Sequence, residues 1–345
     1  MIYNDIRDIE AMDPRMLDRL ERVPHGGTAE PQLLDFSANT NPVSPPGVVA
    51  VYESSFSAAR RYPVDDYCGF RAAAAEYIGV DGRQIIPAAG GMAGMRLAFS
   101  LLVEEGDSVA VPAPSFGEYA KEVRLQGGEP TFVDHDAIRS VDPADHTAVI
   151  VCNPNNPTGT AYCSSGLLEL AARCRDAGTT LLVDEAFLDF TDEPSLAGTE
   201  GVVVARSLTK MFGLPGLRAG FLVATGRLRE RLDVARPAWG MSTPAAAVGE
   251  HCLGATEFVA ETRQRVGRER EWLADRLADR FDVVPSEAPF LLLETDRPAG
   301  EVVDEARASG VAIRDATTFR GLDSHVRVAV KRRHENEQLL DALGL

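Results

Sequence analysis

Between Gln84 and Val223 seven short apolar runs recur, at Gln84–Ala88, Ser108–Val111, Thr131–Val133, Ala148–Cys152, Thr180–Val183, Val202–Ala205 and Gly220–Val223. Longer stretches of helical period lie between several of them, at Met92–Val103, Phe116–Gln126 and Ser164–Ala177. An apolar run of four or five residues without polar alternation reads as a strand buried on both faces. Such strands alternating with helices predict an α/β domain with a mainly parallel, seven-stranded sheet between helices. In that architecture a ligand lies beyond the carboxyl ends of the strands. The residues that follow the runs therefore carry the functional expectation: Gly90, Gly91 and Met92, then Asn156, Asp184 and Lys210.

The flanking sequence is organised differently. Residues 1–45 read as an N-terminal arm, with an amphipathic stretch from Pro14 to Val23 and a short strand beginning at Leu34. A weak helix precedes Arg60-Arg61-Tyr62-Pro63, and a helical pattern runs from Gly69 to Ile78. The large domain is expected over residues 46–235. After Arg236-Pro237 come long helices at about Pro244–Gly254 and Glu257–Arg280, short strands at Phe290–Leu293, Val311–Ile313 and Val326–Val330, and a closing helix at His334–Leu343. This pattern predicts a smaller α+β domain over residues 236–345, joined by the arm.

The chain has 345 residues, long enough for two domains with a substantial core. Asp and Glu number 52 against 35 Lys and Arg, a net charge of −17 with a pI near 4.8. Acid spread along the chain opposes binding to nucleic acid or to anionic lipid. No apolar run reaches the length of a membrane span, and no basic region followed by an apolar stretch marks a signal peptide. Five cysteines without C-x-x-C spacing point to reduced thiols in the cytoplasm and to no metal site. Only Lys121, Lys210 and Lys331 are lysine. Scarce lysine and excess acid together fit a protein adapted to a high-salt cytosol, where salt screens self-repulsion.

Against that scarcity Lys210 stands out. It follows the run Val202–Ala205, with Ser207 and Thr209 before it and Arg218 after it. Arginine does not give up its proton, whereas lysine can attack a carbonyl. Hydroxyls, an amine and a guanidinium at a strand end suit a phosphorylated aldehyde. In Asn153-Pro154-Asn155-Asn156-Pro157-Thr158-Gly159 two prolines fix a turn from which Asn156 can present an amide donor. Asp184 ends a buried strand, where a carboxylate needs a cationic partner.

The sequences N-P-N-N-P-T-G, D-E-A-F-L-D-F, S-L-T-K and P-G-L-R-A-G resemble those of the fold-type-I pyridoxal-phosphate enzymes, which have the aspartate-aminotransferase-like fold. The nearest branch resembled is that of histidinol-phosphate aminotransferase and threonine-phosphate decarboxylase. The resemblance implies pyridoxal 5′-phosphate as cofactor, with Lys210 bonded to its aldehyde, Asp184 paired with its ring nitrogen and Asn156 donating to its ring oxygen. It implies a phosphate site from Ser207, Thr209, Arg218 and the Gly90-Gly91-Met92 turn, and an aromatic, Phe116, stacked on the ring. Tyr62 matches a residue that reaches the cofactor phosphate of a neighbouring subunit, so a homodimer with shared sites is implied. Arg327 matches the clamp for the substrate α-carboxylate. Two departures stand out. Gly91-Met92 offers only backbone where relatives carry an acid or hydroxyl, and Phe187 replaces a tyrosine, which removes one donor to the ring oxygen.

His25-Gly26-Gly27, the Asp35–Pro42 segment with Asn39, Phe187 and the run from Arg314 to Arg327 resemble the decarboxylase more closely. By that likeness Asn39, Arg327, His25 and Arg314 bind substrate, the last two through a distal phosphate. The reaction implied is loss of CO₂ from O-phospho-L-threonine, giving 1-amino-2-propanol phosphate for cobalamin biosynthesis. Amino transfer on histidinol phosphate or a related phosphate substrate is the alternative, and a binding protein without catalysis is a third reading. The melting temperature is expected to rise from low salt to molar KCl, since the Debye length shrinks from about 30 Å at 0.01 M to about 3 Å at 1 M. A flat or falling curve would reject adaptation to salt.

Overall fold

A computed structural model of the chain describes Leu17 and residues 19–345. Within the stretch expected to be an amphipathic helix, residues 20–23 are not helical, and most of the remainder lies outside the described residues. Strand β1 (Leu34–Asp35) leads into helices α1 (Val48–Ser55) and α2 (Cys68–Ile78). All seven expected strands then form, as β2 (Ile85–Ala88), β3 (Ser108–Ala113), β4 (Glu129–Asp134), β5 (Ala148–Cys152), β6 (Thr180–Asp184), β7 (Val202–Ser207) and β8 (Gly220–Val223). They make one sheet in the order β2-β8-β7-β6-β5-β3-β4, in which β8 alone runs opposite to the other six strands.

Helices α3 (Gly91–Leu102), α4 (Glu118–Leu125), α5 (Ser164–Ala177) and α6 (Gly226–Ala235) connect the strands or follow them. The apolar runs of β5, β6 and β7 are continuous because both faces are covered. Val149, Val151, Leu181, Val183, Val202 and Val204 pack on one side with Phe70 of α2 and Leu167 and Leu170 of α5. Ile150, Leu182, Val203 and Ala205 pack on the other with Met95 and Phe99 of α3 and Val123 of α4. Successive residues face opposite layers, as the pleat requires.

After helices α7 (Thr243–Leu253) and α8 (Thr256–Leu277) the chain builds a four-stranded antiparallel sheet in the order β12-β13-β10-β9. Its strands are β9 (Asp282–Val283), β10 (Phe290–Glu294), β12 (Arg314–Asp315) and β13 (His325–Ala329), with helices α9 (Ala299–Ala308) and α10 (Arg333–Ala342). The single strand expected at Val311–Ile313 is instead two. Strand β11 (Val311–Ala312) pairs in parallel with β1, and β12 pairs with β13, so the chain changes partner at Ile313. Phe36 continues the first pairing, donating to Ala312 O at 2.7 Å and accepting from Ala329 N at 2.9 Å.

One buried ion cluster ties the ends of β6 and β7 together. Arg206 donates to Glu185 Oε2 at 3.1 Å and also pairs with Asp189. Ser195 Oγ donates to the same oxygen at 2.6 Å, and Leu196 N donates to Glu185 Oε1 at 2.9 Å. Glu185 and Arg206 flank Asp184 and Ser207, so the cluster fixes the strand ends where functional groups are expected. Removing one member of a buried, hydrogen-bonded charge group costs about 3–5 kcal/mol, because the remaining charges stay desolvated. Arg206→Ala is expected to lose that much stability in urea unfolding. A loss under about 1 kcal/mol would mean that the cluster is not a structural tie.

Candidate active site

The carboxyl ends of the parallel strands open onto one cleft. Its walls include His25, Asn39, Gly91, Met92, Phe116, Asn156, Asp184, Phe187, Ser207, Thr209, Lys210, Arg218, Arg314 and Arg327. Gly90 lies at its edge. A β-carbon placed there would come within 2.7 Å of Arg218 Nη2, so only glycine lets that guanidinium lie against the turn. Tyr62 is elsewhere: it is 77 % exposed and stacks on Trp239 at 4.5 Å.

Each functional side chain is braced by its own element. Asn153 holds the turn after β5 by accepting from Tyr162 N at 2.9 Å, and Asn155 donates to Pro114 O at 3.1 Å. This presents Asn156, whose Oδ1 accepts from Arg327. Asp184 is buried; it accepts from Tyr119 Oη at 2.6 Å and from Ala186 N at 3.0 Å. Arg218 holds a left-handed backbone at φ 56°, rare for a residue with a side chain and common at sites where geometry is imposed. Its Nη1 donates to Pro215 O at 3.2 Å. With Ser207, Thr209 and the first turn of α3, it forms a group of donors at one end of the cleft.

Four cationic side chains, Lys210, Arg218, Arg314 and Arg327, line the cleft against one carboxylate, Asp184. None of the four forms an ion pair among the described residues. Burial, reinforced by Arg327 and Arg218, lowers the Lys210 amine to about 8, with Asp184 pulling the other way. Burial raises Asp184, opposed by its hydrogen bonds from Tyr119 and Ala186. Burial also lowers Arg327, helped by Arg314, and its buried Nε has no hydrogen-bond partner. The side-chain oxygen of buried Asn39 is likewise without a partner. An orphaned donor and unpaired cations in a desolvated cleft call for anionic ligands, and the Asn39 oxygen for a ligand donor. The donors near Arg218 fit a phosphate, the amine of Lys210 fits an aldehyde, Asp184 fits a protonated ring nitrogen, and Phe116 offers a ring face. The residues present therefore fit pyridoxal phosphate.

His25 differs from expectation in detail. Its Nε2 bonds Glu118 Oε1 at 3.0 Å, and Lys121 shares that carboxylate at 3.2 Å. Its backbone carbonyl accepts from Arg314 Nη1 at 3.3 Å. Tyr119 was not anticipated. Its signal is its place three residues after Phe116, the helical spacing that brings two side chains to one face; the rings meet edge to face at 5.5 Å.

The model of the aminotransferase class I and II family matches residues 31–343, and the chain belongs to that family. It is a pyridoxal-phosphate-dependent enzyme. It is 31 % identical over 320 residues to histidinol-phosphate aminotransferase 1 of Archaeoglobus fulgidus, covering 90 % of this chain and 98 % of that one. It is 32 % identical over 333 residues to a candidate threonine-phosphate decarboxylase of Caldanaerobacter subterraneus, covering 89 % and 88 %. The crystal structure of histidinol-phosphate aminotransferase from Sinorhizobium meliloti with pyridoxal-5′-phosphate superposes with a TM-score of 0.81 at 22 % identity, covering 89 % and 88 %.

Lys210→Ala is expected to abolish the visible band of the loaded enzyme, and borohydride reduction of the wild type should label Lys210 and neither Lys121 nor Lys331. Only the neutral amine attacks an aldehyde. With the amine lowered to about 8, cofactor capture by stripped protein should accelerate as pH rises through about 8 and then level off. Acceleration that continues to pH ~10.4, the ordinary lysine value, would contradict the depressed amine.

Proposed function

We propose that the enzyme decarboxylates O-phospho-L-threonine to 1-amino-2-propanol phosphate, a step that would serve cobalamin biosynthesis. The observation that carries this reading is the pair Arg314 and Arg327. Both are buried at the cleft without a carboxylate partner among the described residues. Two such guanidinium groups suit a single substrate with two anionic groups. O-Phosphothreonine has a carboxylate and a distal phosphate; histidinol phosphate has only the phosphate.

Bound in the cleft, pyridoxal phosphate supplies an electron sink for the pair released when a bond at the substrate α-carbon breaks. Lys210, Asp184, Asn156 and Phe116 would hold its ring, and Ser207, Thr209, Arg218 and the turn at Gly90–Met92 its phosphate. Arg327 would hold the substrate carboxylate, and Arg314 with His25 the phosphate. The carboxylate leaves as CO₂, its bonding electrons remain with the α-carbon, and a proton returns to that carbon from Lys210. Phe187 packs edge to face on Phe290 at 5.1 Å, and its ring lies 5.6 Å from Lys210 Nζ. That apolar wall helps exclude water from the amine.

Amino transfer is the second reading. The similarity to the Archaeoglobus aminotransferase favours it, and two arginines would equally serve a dicarboxylate amino acceptor. We further propose that the chain works as a cytoplasmic homodimer with shared sites. Exposed Val49, Tyr52, Phe56, Tyr62 and Val64 offer an apolar surface, and no described helix is long and apolar enough to cross a membrane.

Incubation with O-phosphothreonine should release one CO₂ for each amine product and need no oxo acid. Arg314→Ala should weaken phosphothreonine by about 2–5 kcal/mol while sparing threonine, because an anion loses its partner in a desolvated site. Transfer from histidinol phosphate to 2-oxoglutarate, without CO₂ from phosphothreonine, would replace the first reading by the second.

A further inference from the structure

We infer that Phe319 sets the spacing between the two anion-binding arginines and so selects substrates by the distance between their carboxylate and their phosphate. The inference rests on the two-anion reading proposed above.

Arg314 and Arg327 occupy directly opposed positions on paired antiparallel strands, β12 and β13. Like charges in such a pair repel, and left alone would splay apart. The guanidinium carbons of both lie 5.6 Å from the centroid of one ring, that of Phe319. A phenyl face attracts each cation, so the shared ring opposes the repulsion; Arg327 also lies 5.2 Å from the ring of Phe290, which leaves Phe319 as the one ring that both guanidinium groups share.

The ring is itself held. Phe319 is 8 % exposed and packs with Leu292, Ala316 and Leu322. Its neighbour Arg320 lies 3.9 Å over the ring of Phe132 on β4, which ties this segment to the edge strand of the large sheet. The arginines are tethered to different parts of the chain. Arg314 donates to Pro24 O at 2.8 Å and to Thr318 Oγ1 at 2.8 Å. Arg327 donates to Ser37 O at 3.1 Å and to Asn156. Neither guanidinium is free to drift toward a ligand of the wrong length. A stiff aromatic shared by two tethered cations thus acts as a gauge, and a substrate one methylene longer or shorter fits the pair less well.

The test uses dianions that cannot react. The pyridoxal-phosphate-loaded enzyme is titrated calorimetrically with phosphonoacetate, phosphonopropionate, phosphonobutyrate and phosphonopentanoate. The wild type should show one preferred length, with its neighbours roughly tenfold weaker, the scale of a desolvated cation–π contact. Phe319→Leu should flatten the series to within about threefold, as the attraction that fixes the spacing is lost. Phe319→Tyr should keep the optimum, and Phe319→Trp should move it to a longer chain. A folded Phe319→Leu protein that retains the wild-type optimum overturns the inference. Should the leucine variant fail to fold, the tryptophan variant decides, and an unmoved optimum overturns it. If wild-type enzyme binds propionate or methylphosphonate as tightly as the best phosphonocarboxylate, the two-anion reading falls and the inference with it.

Discussion

Uncompensated positive charge in a desolvated cleft is the constraint on which this structure turns. The chain carries a net charge of −17, yet Lys210, Arg218, Arg314 and Arg327 face the cleft with Asp184 as the one carboxylate among its lining residues. Elsewhere in the fold arginines find acids: Arg206 with Glu185 and Asp189, Arg71 with Asp233, Arg236 with Asp65. Leaving four cations unpaired costs folding free energy, and that cost is recovered when anions bind. On the proposed reading the cofactor phosphate would answer part of the excess, and the remainder, at Arg314 and Arg327, would be left for the substrate.

The scaffold makes that arrangement tolerable. A sheet covered on both faces fixes the strand ends rigidly, and the Arg206 cluster locks β6 to β7 beside Asp184 and Ser207. The second half of the cleft comes from another source. Residues 34–36 knit to β11 and to Ala329, which brings the arm segment with Asn39 against the antiparallel sheet that carries Arg314 and Arg327. Pairing arm carbonyls with those arginines, through Pro24, His25 and Ser37, satisfies donors without neutralising charge. The site is thus shaped by hydrogen bonds and left electrostatically open.

Much of this was legible in the sequence. Apolar runs marked the seven strands of the large sheet within a residue or two; the inner ones are buried on both faces, whereas the edge strand β4 is half exposed and showed only the short run Thr131–Val133. What was missed has identifiable causes. Helix α6 has only Leu232 buried, so its charged sequence shows almost no apolar stripe. Helix α9 does show one, at Ala299, Val302 and Ala306, but in a stretch of ten residues bounded by Pro298. The break at Ile313 depends on strands far away in sequence, which local pattern cannot reveal. Tyr119 had only its spacing from Phe116 as a signal, and Phe319 had none; the fold brings one to Asp184 and the other within reach of two arginines. The Glu118 bond to His25 was equally invisible, since its partner lies 93 residues away.

Relatives with two different activities share this chain's family, so charge placement in the cleft carries more weight for substrate than overall likeness. A cleft built for two anions on one substrate must lose affinity when either anion is removed. The most direct measurement is the initial binding constant of loaded enzyme for O-phosphothreonine, threonine and O-phosphoethanolamine, read from the cofactor absorption change. Loss of either anion is expected to weaken binding by about 2–5 kcal/mol, since a desolvated guanidinium is left unpaired each time. Threonine or phosphoethanolamine binding as tightly as phosphothreonine would contradict it.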